Sequence, residues 1–165
     1  MTEVIAKVFG AVSIVNAIAT GKGATLGIDT FVETKLVKKE GTGIQITSEN
    51  KTISSRLINQ IIKNMIPAKI LEKSRLELDF RSNIPTGYGL KSSSAISSAV
   101  ALSCAKAFGK KISDEEILKL GAKTSIQTKV SITGAYDDAC ACHFGGFNVT
   151  DNLKMKLINR ELAPK

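Results

Sequence analysis

A glycine-rich turn followed by three hydroxyl side chains is the feature of this 165-residue chain that could most directly do chemistry. The turn spans residues 84–91 and contains Gly87 and Gly89, and residues 92–94 are all serine. Small and apolar residues then recur at helical spacing up to Gly109, so the serines open a predicted helix. Backbone N–H groups at the positive end of a helix can hydrogen-bond a polyphosphate. The segment therefore predicts nucleotide binding.

The same residues have a purely structural alternative. Gly87 and Gly89 can serve only to supply positive φ in a turn, and one serine is enough to cap a helix. Three hydroxyls in succession exceed what capping needs, which favours phosphate binding. The spacing is not that of a Walker A sequence, because Lys91 and Ser92 follow Gly89 after one intervening residue. Lys91 could still add a positive charge, and a serine hydroxyl could bind Mg²⁺.

Two adjacent carboxylates, Asp137 and Asp138, form a second candidate site within the segment 133–139. Small and apolar residues surround them. Carboxylates are costly to bury unless they meet a cation, a metal ion or a proton to abstract, so one of the two could act as a base. An exposed turn with solvated carboxylates is the alternative, and the local sequence leaves both open.

Cys140, Cys142 and the single histidine, His143, could suggest a metal site. A structural zinc site normally needs four ligands with wider spacing between paired cysteines. We therefore expect buried small residues here. With Cys104 the cysteine count is odd and shows no disulfide framework, which predicts reduced thiols.

The first half of the chain predicts an antiparallel sheet and one helix. Residues 4–18 favour one or two strands broken at Gly10, and residues 20–29 are a second glycine-rich connection. Segments 31–36 and 44–46, joined by two glycines, predict a β-hairpin. Apolar residues at helical spacing then predict a helix over 53–65 that is closed by a proline.

The second half of the chain contains both candidate sites and the elements predicted around them. Residues 75–81 alternate between charged and apolar side chains, which predicts a strand with one wet face directly before the glycine-rich turn. The turn thus lies between a strand and a helix, the context that phosphate binding requires. Ser113 and Glu116 form a capping-box pattern that begins a helix running to about Lys129, and residues 144–149 predict a further strand. We expect an α+β fold with a mixed or antiparallel sheet packed against helices.

The composition limits the classes of protein to which this chain can belong. Its 43% hydrophobic content can build a core, and the length fits one domain. The formal charge of +8 suits small anionic substrates, whereas scattered lysines, two tyrosines and six phenylalanines argue against nucleic-acid binding. No apolar run approaches the roughly 20 residues that span a bilayer, and the N-terminus lacks a signal-peptide pattern. We expect a cytoplasmic protein with no membrane partner.

Three ordered motifs carry a family resemblance. Residues 85–95 resemble the P-x-x-x-G-L-G-S-S-A-A signature of the GHMP kinases, with departures at Lys91 and Ser94 that are similar to the G-L-K-S-S-S-A loop of the archaeal-type shikimate kinase family. Residues 10–23 are similar to the N-terminal segment of that family, and residues 133–141 to its T-G-A-F/Y-D-D-A-C motif. The resemblance covers most of residues 5–151.

The resemblance implies a fold, an activity and a set of site residues. It implies the N-terminal domain of the GHMP kinase fold, which is shared with a ribosomal-protein domain, and transfer of the γ-phosphoryl group of ATP to the 3-hydroxyl of shikimate. Asp137 is implied as the catalytic residue beside the acceptor hydroxyl, and Ser93 and Asp138 as ligands of Mg²⁺. The implied nucleotide-binding residues are Pro85, Gly87, Tyr88, Gly89, Leu90, Lys91, Ser92, Ser93, Ser94 and Ala95.

Several features depart from the family pattern. The cation that many members carry in the first motif corresponds here to Ala11, with Lys7 or Lys22 as replacements, and no carboxylate occurs at 125–127, where other members carry a magnesium-binding glutamate. The third, glycine-rich motif of the C-terminal half is absent, so we expect residues 1–165 to be the N-terminal, ATP-binding domain with the C-terminal domain missing. Another GHMP-type kinase acting on a homoserine- or mevalonate-like substrate, or a noncatalytic RNA-binding module, is the alternative, and a homodimer stays open.

Overall fold

The computed structural model of this chain describes residues 1–48, 53–85 and 87–162 as six strands and five helices within those ranges. The strands are β1 (Thr2–Val15), β2 (Lys22–Glu40), β3 (Gly43–Ser48), β4 (Ser74–Ser82), β5 (Phe147–Asp151) and β6 (Lys156–Glu161). The helices are α1 (Ser55–Met65), α2 (Ala68–Leu71), α3 (Ser92–Ala107), α4 (Asp114–Gln127) and α5 (Tyr136–Phe144).

All six strands form one mixed sheet, organised around the long strand β2. The order across the sheet is β3, β4, β2, β5, β6, and β1 pairs antiparallel with β2 along most of its length. The two halves of β2 have different partners on their shared edge: residues 32–40 pair with β4 and residues 22–26 with β5. The α+β class and the mixed sheet that the sequence predicts are confirmed.

Helix α3 is the centre of the core. Eleven of its sixteen residues are buried, most of them Ala or Ser, and these small side chains let the helix pack closely on β1, β2, α1, α4 and α5. Helix α1 buries an apolar stripe against α3 that includes Leu57, Ile61 and Met65. The N-terminus of α3 is thereby fixed relative to β1 and α5, which carry the other residues of the candidate site.

The predicted β-hairpin between residues 31–36 and 44–46 is wrong. β3 pairs parallel with β4, which lies between β2 and β3 in the sheet. Helices α1 and α2 connect β3 to β4, and a connection of helical length permits a parallel pair where a two- or three-residue turn does not. The strand, helix, strand order was visible in the sequence and could have indicated this topology.

The predicted glycine-rich connection at 20–29 is also wrong, because all but its first residues belong to β2. Glycines occur inside this strand because other backbone and side chains approach it closely. A Cβ on Gly27 would lie 2.7 Å from Cα of Gly145, a distance that real Cβ atoms do not adopt. The predicted break at Gly10 is a shift of register between Phe9 and Gly10 within a continuous β1.

The sequence predicted α4 well but missed two elements in the last part of the chain. The capping box of Ser113 and Glu116 is present, and α4 ends at Gln127, two residues before the predicted boundary. Helix α5 and strand β6 were not predicted. None of the described helices has the length and apolar character needed to cross a membrane.

Candidate functional site

The glycine-rich turn has an unusual backbone. Gly87, Gly89 and Lys91 have φ of 85°, 72° and 63°, so alternate residues adopt a left-handed conformation before α3 begins at Ser92. A Cβ on either glycine would meet nothing within 4 Å, so backbone conformation and not space requires them. Alternation of this kind turns successive N–H groups towards one side of the chain, an arrangement that binds anions.

Two contacts hold the turn against the rest of the protein. The N–H of Ala11 in β1 donates to the carbonyl oxygen of Leu90 at 3.3 Å. The buried thiol of Cys142 in α5 lies 3.8 Å from the carbonyl oxygen of Lys91. The turn is therefore fixed to β1 and to α5, the helix that carries the two aspartates.

Most of the predicted nucleotide-binding residues line one cleft of about 320 Å³. The predicted residues in its wall are Pro85, Gly87, Gly89, Leu90, Lys91, Ser92, Ser93 and Ser94, and Asp138 lies opposite. Tyr88 and Ala95 do not line the cleft, since Tyr88 is 78% exposed and Ala95 is fully buried. Thr86, part of the same motif, lies outside the described residues.

Four further residues complete the cleft: Ser125, Val130, Ser131 and Ala135. They belong to the end of α4 and to the segment between α4 and α5. In the sequence, residues 125–127 stand out only because they lack the carboxylate of other family members. The hydroxyl of Ser125 was therefore not predicted to be part of the site. A helix ending opposite the turn gives no local sequence signal, because tertiary packing alone brings it there.

Asp137 and Asp138 occupy the first turn of α5, where the helix dipole stabilises negative charge. Both are buried, at 4% and 8% exposure, so the exposed-turn alternative does not apply. They have different surroundings. Asp138 faces the cleft, whereas Asp137 does not line it and lies over Gly23 of β2, where a Cβ would come within 2.8 Å of the Asp137 side chain.

The cation beside the aspartates is Lys91. Its Nζ lies 3.2 Å from Oδ2 of Asp138, and both side chains are largely buried. Of the two replacements that the sequence suggested, Lys7 instead lies over the ring of Phe31, 4.3 Å from its centre, and Lys22 is exposed. The glycine-rich turn thus supplies, through Lys91, the positive charge that the β1 position occupied by Ala11 lacks.

The protonation of Asp138 is set by opposing effects. Burial and the neighbouring Asp137 raise the pKa of Asp138 to about 6, while Lys91 and the hydroxyl of Ser13 act in the lowering direction. The hydroxyls of Ser13 and Thr25 lie 3.4 and 3.5 Å from Oδ1 of Asp138. A carboxylate whose pKa is near 6 is ionised at neutral pH and retains more basicity than an ordinary aspartate, which suits a general base.

The two cysteines and the histidine near the end of α5 have largely buried side chains. Cys140 and Cys142 are fully buried, as the sequence predicts, and burial raises the pKa of the Cys140 thiol to about 12. His143 Nε2 lies 3.0 Å from Oδ1 of Asp114 at the start of α4. Within the described ranges, His, Cys, Asp and Glu side chains form no group of three or more that could hold a metal ion.

Comparison with known proteins identifies the class to which this fold and cleft belong. The model of the GHMP kinases N terminal domain matches residues 56–146, more than half of the chain. The chain belongs to the GHMP kinase family.

Curated relatives match nearly the whole chain. The shikimate kinase of Methanosarcina acetivorans is 44% identical over 164 residues, which cover 94% of this chain and 53% of the relative. The shikimate kinase of Pyrococcus furiosus is 38% identical over 152 residues, which cover 91% and 55%. The chain therefore spans about half the length of these relatives.

Solved structures share the fold at low sequence identity. The mevalonate kinase of Methanococcus jannaschii superposes with a TM-score of 0.80 at 18% identity, covering 97% of this chain and 56% of that one. The galactokinase of Lactococcus lactis superposes with a TM-score of 0.76 at 18% identity, covering 93% and 46%. These likenesses establish the architecture.

Proposed function

We propose that this chain forms the ATP-binding part of a shikimate kinase, an enzyme that transfers the γ-phosphoryl group of ATP to the 3-hydroxyl of shikimate. One observation carries the proposal: the turn, the serine-rich start of α3, Lys91 and Asp138 converge on a single cleft. The shikimate kinases that match nearly the entire chain support this choice of acceptor.

The proposal includes a domain assignment. Residues 1–165 are the N-terminal, ATP-binding domain, and the C-terminal domain of the family is not part of this chain, in keeping with its coverage of about half of its relatives. We propose a cytoplasmic enzyme with ATP and shikimate as its ligands. Its assembly as a homodimer stays a prediction.

The cleft suits a triphosphate for electrostatic reasons. N–H groups of the first turn of α3 are free of intrahelical partners, and the hydroxyls of Ser92, Ser93 and Ser94 lie beside them. Lys91 adds a full positive charge at the same helix terminus, which carries no acidic residue in its first turn. These groups would hold the phosphates with the terminal phosphoryl group directed at Asp138.

The donor atoms in the cleft also fit Mg²⁺. This ion prefers oxygen ligands and is commonly bound through one or two carboxylates together with substrate phosphates. The exposed hydroxyl of Ser93 and the carboxylate of Asp138 are among the oxygen donors that line the cleft, and we propose that they contact the ion. When bound, Mg²⁺ would neutralise charge on the phosphates.

The two carboxylates differ in access to the acceptor. The sequence assigns the base to Asp137, and that assignment stays a prediction. The geometry favours Asp138 for the contact with the hydroxyl, because Asp138 lines the cleft and Asp137 does not. In the proposed step, Asp138 accepts the hydroxyl proton, the hydroxyl oxygen bonds to the γ-phosphorus, and the bond from the γ-phosphorus to the bridging oxygen breaks to release ADP.

A substrate panel tests the proposal. Mg-ATP is supplied with shikimate, homoserine or mevalonate to the 165-residue chain and to any longer protein that contains it, and ADP release is followed by a coupled assay. We expect ATP binding by the chain alone and ADP release only with shikimate. Release with another alcohol would overturn the choice of acceptor and leave the kinase class standing. Absence of ATP binding, with salt-dependent RNA binding in its place, would overturn the enzyme assignment.

A further inference from the structure

A second cavity lies between α4, α5 and the β5–β6 hairpin, and we call it the second pocket. Its volume is about 370 Å³, which falls within the range of roughly 300–1,000 Å³ that ligand pockets occupy. It shares no lining residue with the cleft. Tyr136 of α5 lines the second pocket and Asp138 lines the cleft, and two residues on a helix point about 200° apart. The two cavities therefore lie on opposite sides of α5.

Part of the wall of the second pocket is apolar and fixed in place. Leu118 and Tyr136 are each 1% exposed, and they pack with Phe144 in an apolar cluster that is separate from the main core. Two neighbours hold the ring of Phe144. The ring of His143 meets it edge-on with 4.8 Å between the centres, and the guanidinium of Arg160 lies 4.7 Å from its centre. A ligand would not need to order these side chains, which lowers the entropy cost of binding.

Three lysines line the same pocket: Lys119, Lys154 and Lys156. Nζ of Lys119 lies 2.5 Å from Oε1 of Glu115, which also lines the pocket. Among residues 1–48, 53–85 and 87–162, no carboxylate lies within ion-pair distance of Lys154 or Lys156. Three lysines and one glutamate leave a surplus of positive charge beside an apolar wall, which favours an anion that has an apolar body.

The start of α4 limits the charge that such an anion can carry. Asp114, Glu115 and Glu116 form the first turn of this helix, at the edge of the second pocket. The capping box already uses the N–H of Glu116, which donates to the hydroxyl of Ser113. A doubly charged phosphate would be repelled by these carboxylates, and the repulsion grows with the charge of the ligand. A singly charged carboxylate therefore fits better than a phosphate.

We propose that the second pocket binds a small aromatic carboxylate, with its ring against Phe144 and Tyr136 and its carboxylate beside Lys154 and Lys156. Contact between aromatic rings contributes free energy beyond the burial of their area. Each lysine offers three N–H donors to the carboxylate oxygens. The site is separate from the proposed function, because binding there needs neither a nucleotide nor any residue of the cleft.

The experiment is a ¹H–¹⁵N NMR titration of the 165-residue chain with benzoate, benzamide and acetate. Benzamide keeps the ring without the charge, and acetate keeps the charge without the ring. We expect benzoate to cause saturable shifts at the backbone amides of Phe144, Lys154 and Leu157, which line the pocket. The other two probes should bind more weakly at the same amides. Acetate or benzamide binding as tightly as benzoate would overturn the proposed class of ligand.

A double variant, Lys154→Gln with Lys156→Gln, tests the role of the charges. The Kd for benzoate should rise by about 5- to 25-fold, since one exposed ion pair is worth up to about fivefold in affinity. Lys69→Gln with Lys73→Gln is the matched control. These lysines are exposed, do not line the pocket, and lower the net charge by the same amount when replaced, so the Kd should change by less than about twofold. An unchanged Kd in the first pair, or an equal rise in both pairs, would overturn the site.

Repeating the titration with saturating Mg-ATP separates this inference from the proposed function. The Kd for benzoate should stay the same, because the two cavities share no residue. Benzoate shifts confined to the amides of Ser92, Ser93 and Ser94, and lost when Mg-ATP is added, would show that the probe binds the cleft and would overturn the second site. A chain that binds benzoate at the second pocket and shows no nucleotide binding would leave this site standing and remove the kinase assignment.

Discussion

Replacing Asp138 with asparagine should lower shikimate-dependent ADP release by a factor of roughly 10² to 10⁴, the range that general-base groups contribute. Asparagine keeps the shape of the side chain and cannot accept the proton of the acceptor hydroxyl. The affinity for Mg-ATP should fall as well, because Asp138 is also proposed as a ligand of Mg²⁺. Asp137→Asn is the comparison variant, and it should lose less turnover because Asp137 does not line the cleft.

Comparing the turnover of Asp137→Asn with that of Asp138→Asn shows which carboxylate is the base. A loss in Asp137→Asn that exceeds the loss in Asp138→Asn would support the sequence-based assignment of Asp137 as the base and contradict the geometric one. The pH dependence gives a further check. Because burial raises the pKa of Asp138 to about 6, wild-type turnover should fall as the pH drops through about 6, where the carboxylate becomes protonated.

The stability of Asp138→Asn shows whether its loss of turnover comes from the missing carboxylate or from a disrupted fold. Burial raises the pKa of Asp138 in the folded state above its ordinary value of 3.8 to about 6, so the ionised carboxylate costs stability as the pH rises through about 6. Asp138→Asn should therefore unfold at higher denaturant concentration at pH 7.5, with a gain on the order of 1–3 kcal/mol, given 1.4 kcal/mol per pKa unit. The gain should vanish below about pH 4. A variant that is inactive and also less stable at pH 7.5 would contradict this explanation.

Gly23→Ala should destabilise the fold by about 3 kcal/mol, the upper end of the range for overpacking a core. A methyl group on Gly23 would lie 2.8 Å from Cβ and Cγ of Asp137, well inside normal contact distance. The strand cannot move aside, since residue 23 pairs with Thr150 of β5. Chemical denaturation followed by circular dichroism measures the loss, and the displaced Asp137 should also reduce turnover.

Gly121→Ala provides the matched control for that substitution. Gly121 lies inside α4, and a methyl group there would lie 3.5 Å from Cβ of Ser97, an ordinary contact. Alanine is favoured over glycine in a helix by up to about 1 kcal/mol, so this variant should be neutral or more stable. Equal stability of the Gly23→Ala variant and the wild type would show that β2 and α5 are not as closely packed as described.

Local patterns in the sequence predicted the elements that have strong local signals. The alternation of residues 75–81, the capping box at Ser113 and the serine-rich start of α3 all appear in the fold. Helix α5 was missed because it is nine residues long and its N-cap residue, Ala135, has φ of 49° and no side chain that caps the helix. No local signal of the usual kind marks such a start.

The division of roles between the aspartates could not be predicted from their types. Adjacent residues on a helix point about 100° apart, so one of the pair must turn away from the cleft, and only the phase of α5 decides which. The contributions of Ser125 and Lys91 depend in the same way on packing between distant segments. Lys91 was predicted as a phosphate-binding charge, and its pairing with Asp138 has no counterpart in the local sequence.

The most direct test of the central claim is a crystal structure of this chain with Mg²⁺ and a non-hydrolysable ATP analogue. We expect the phosphates to accept hydrogen bonds from the backbone N–H groups at the start of α3, with the γ-phosphate between Lys91 and Asp138. An analogue bound away from the turn, or a γ-phosphate directed away from Asp138, would contradict the proposed function.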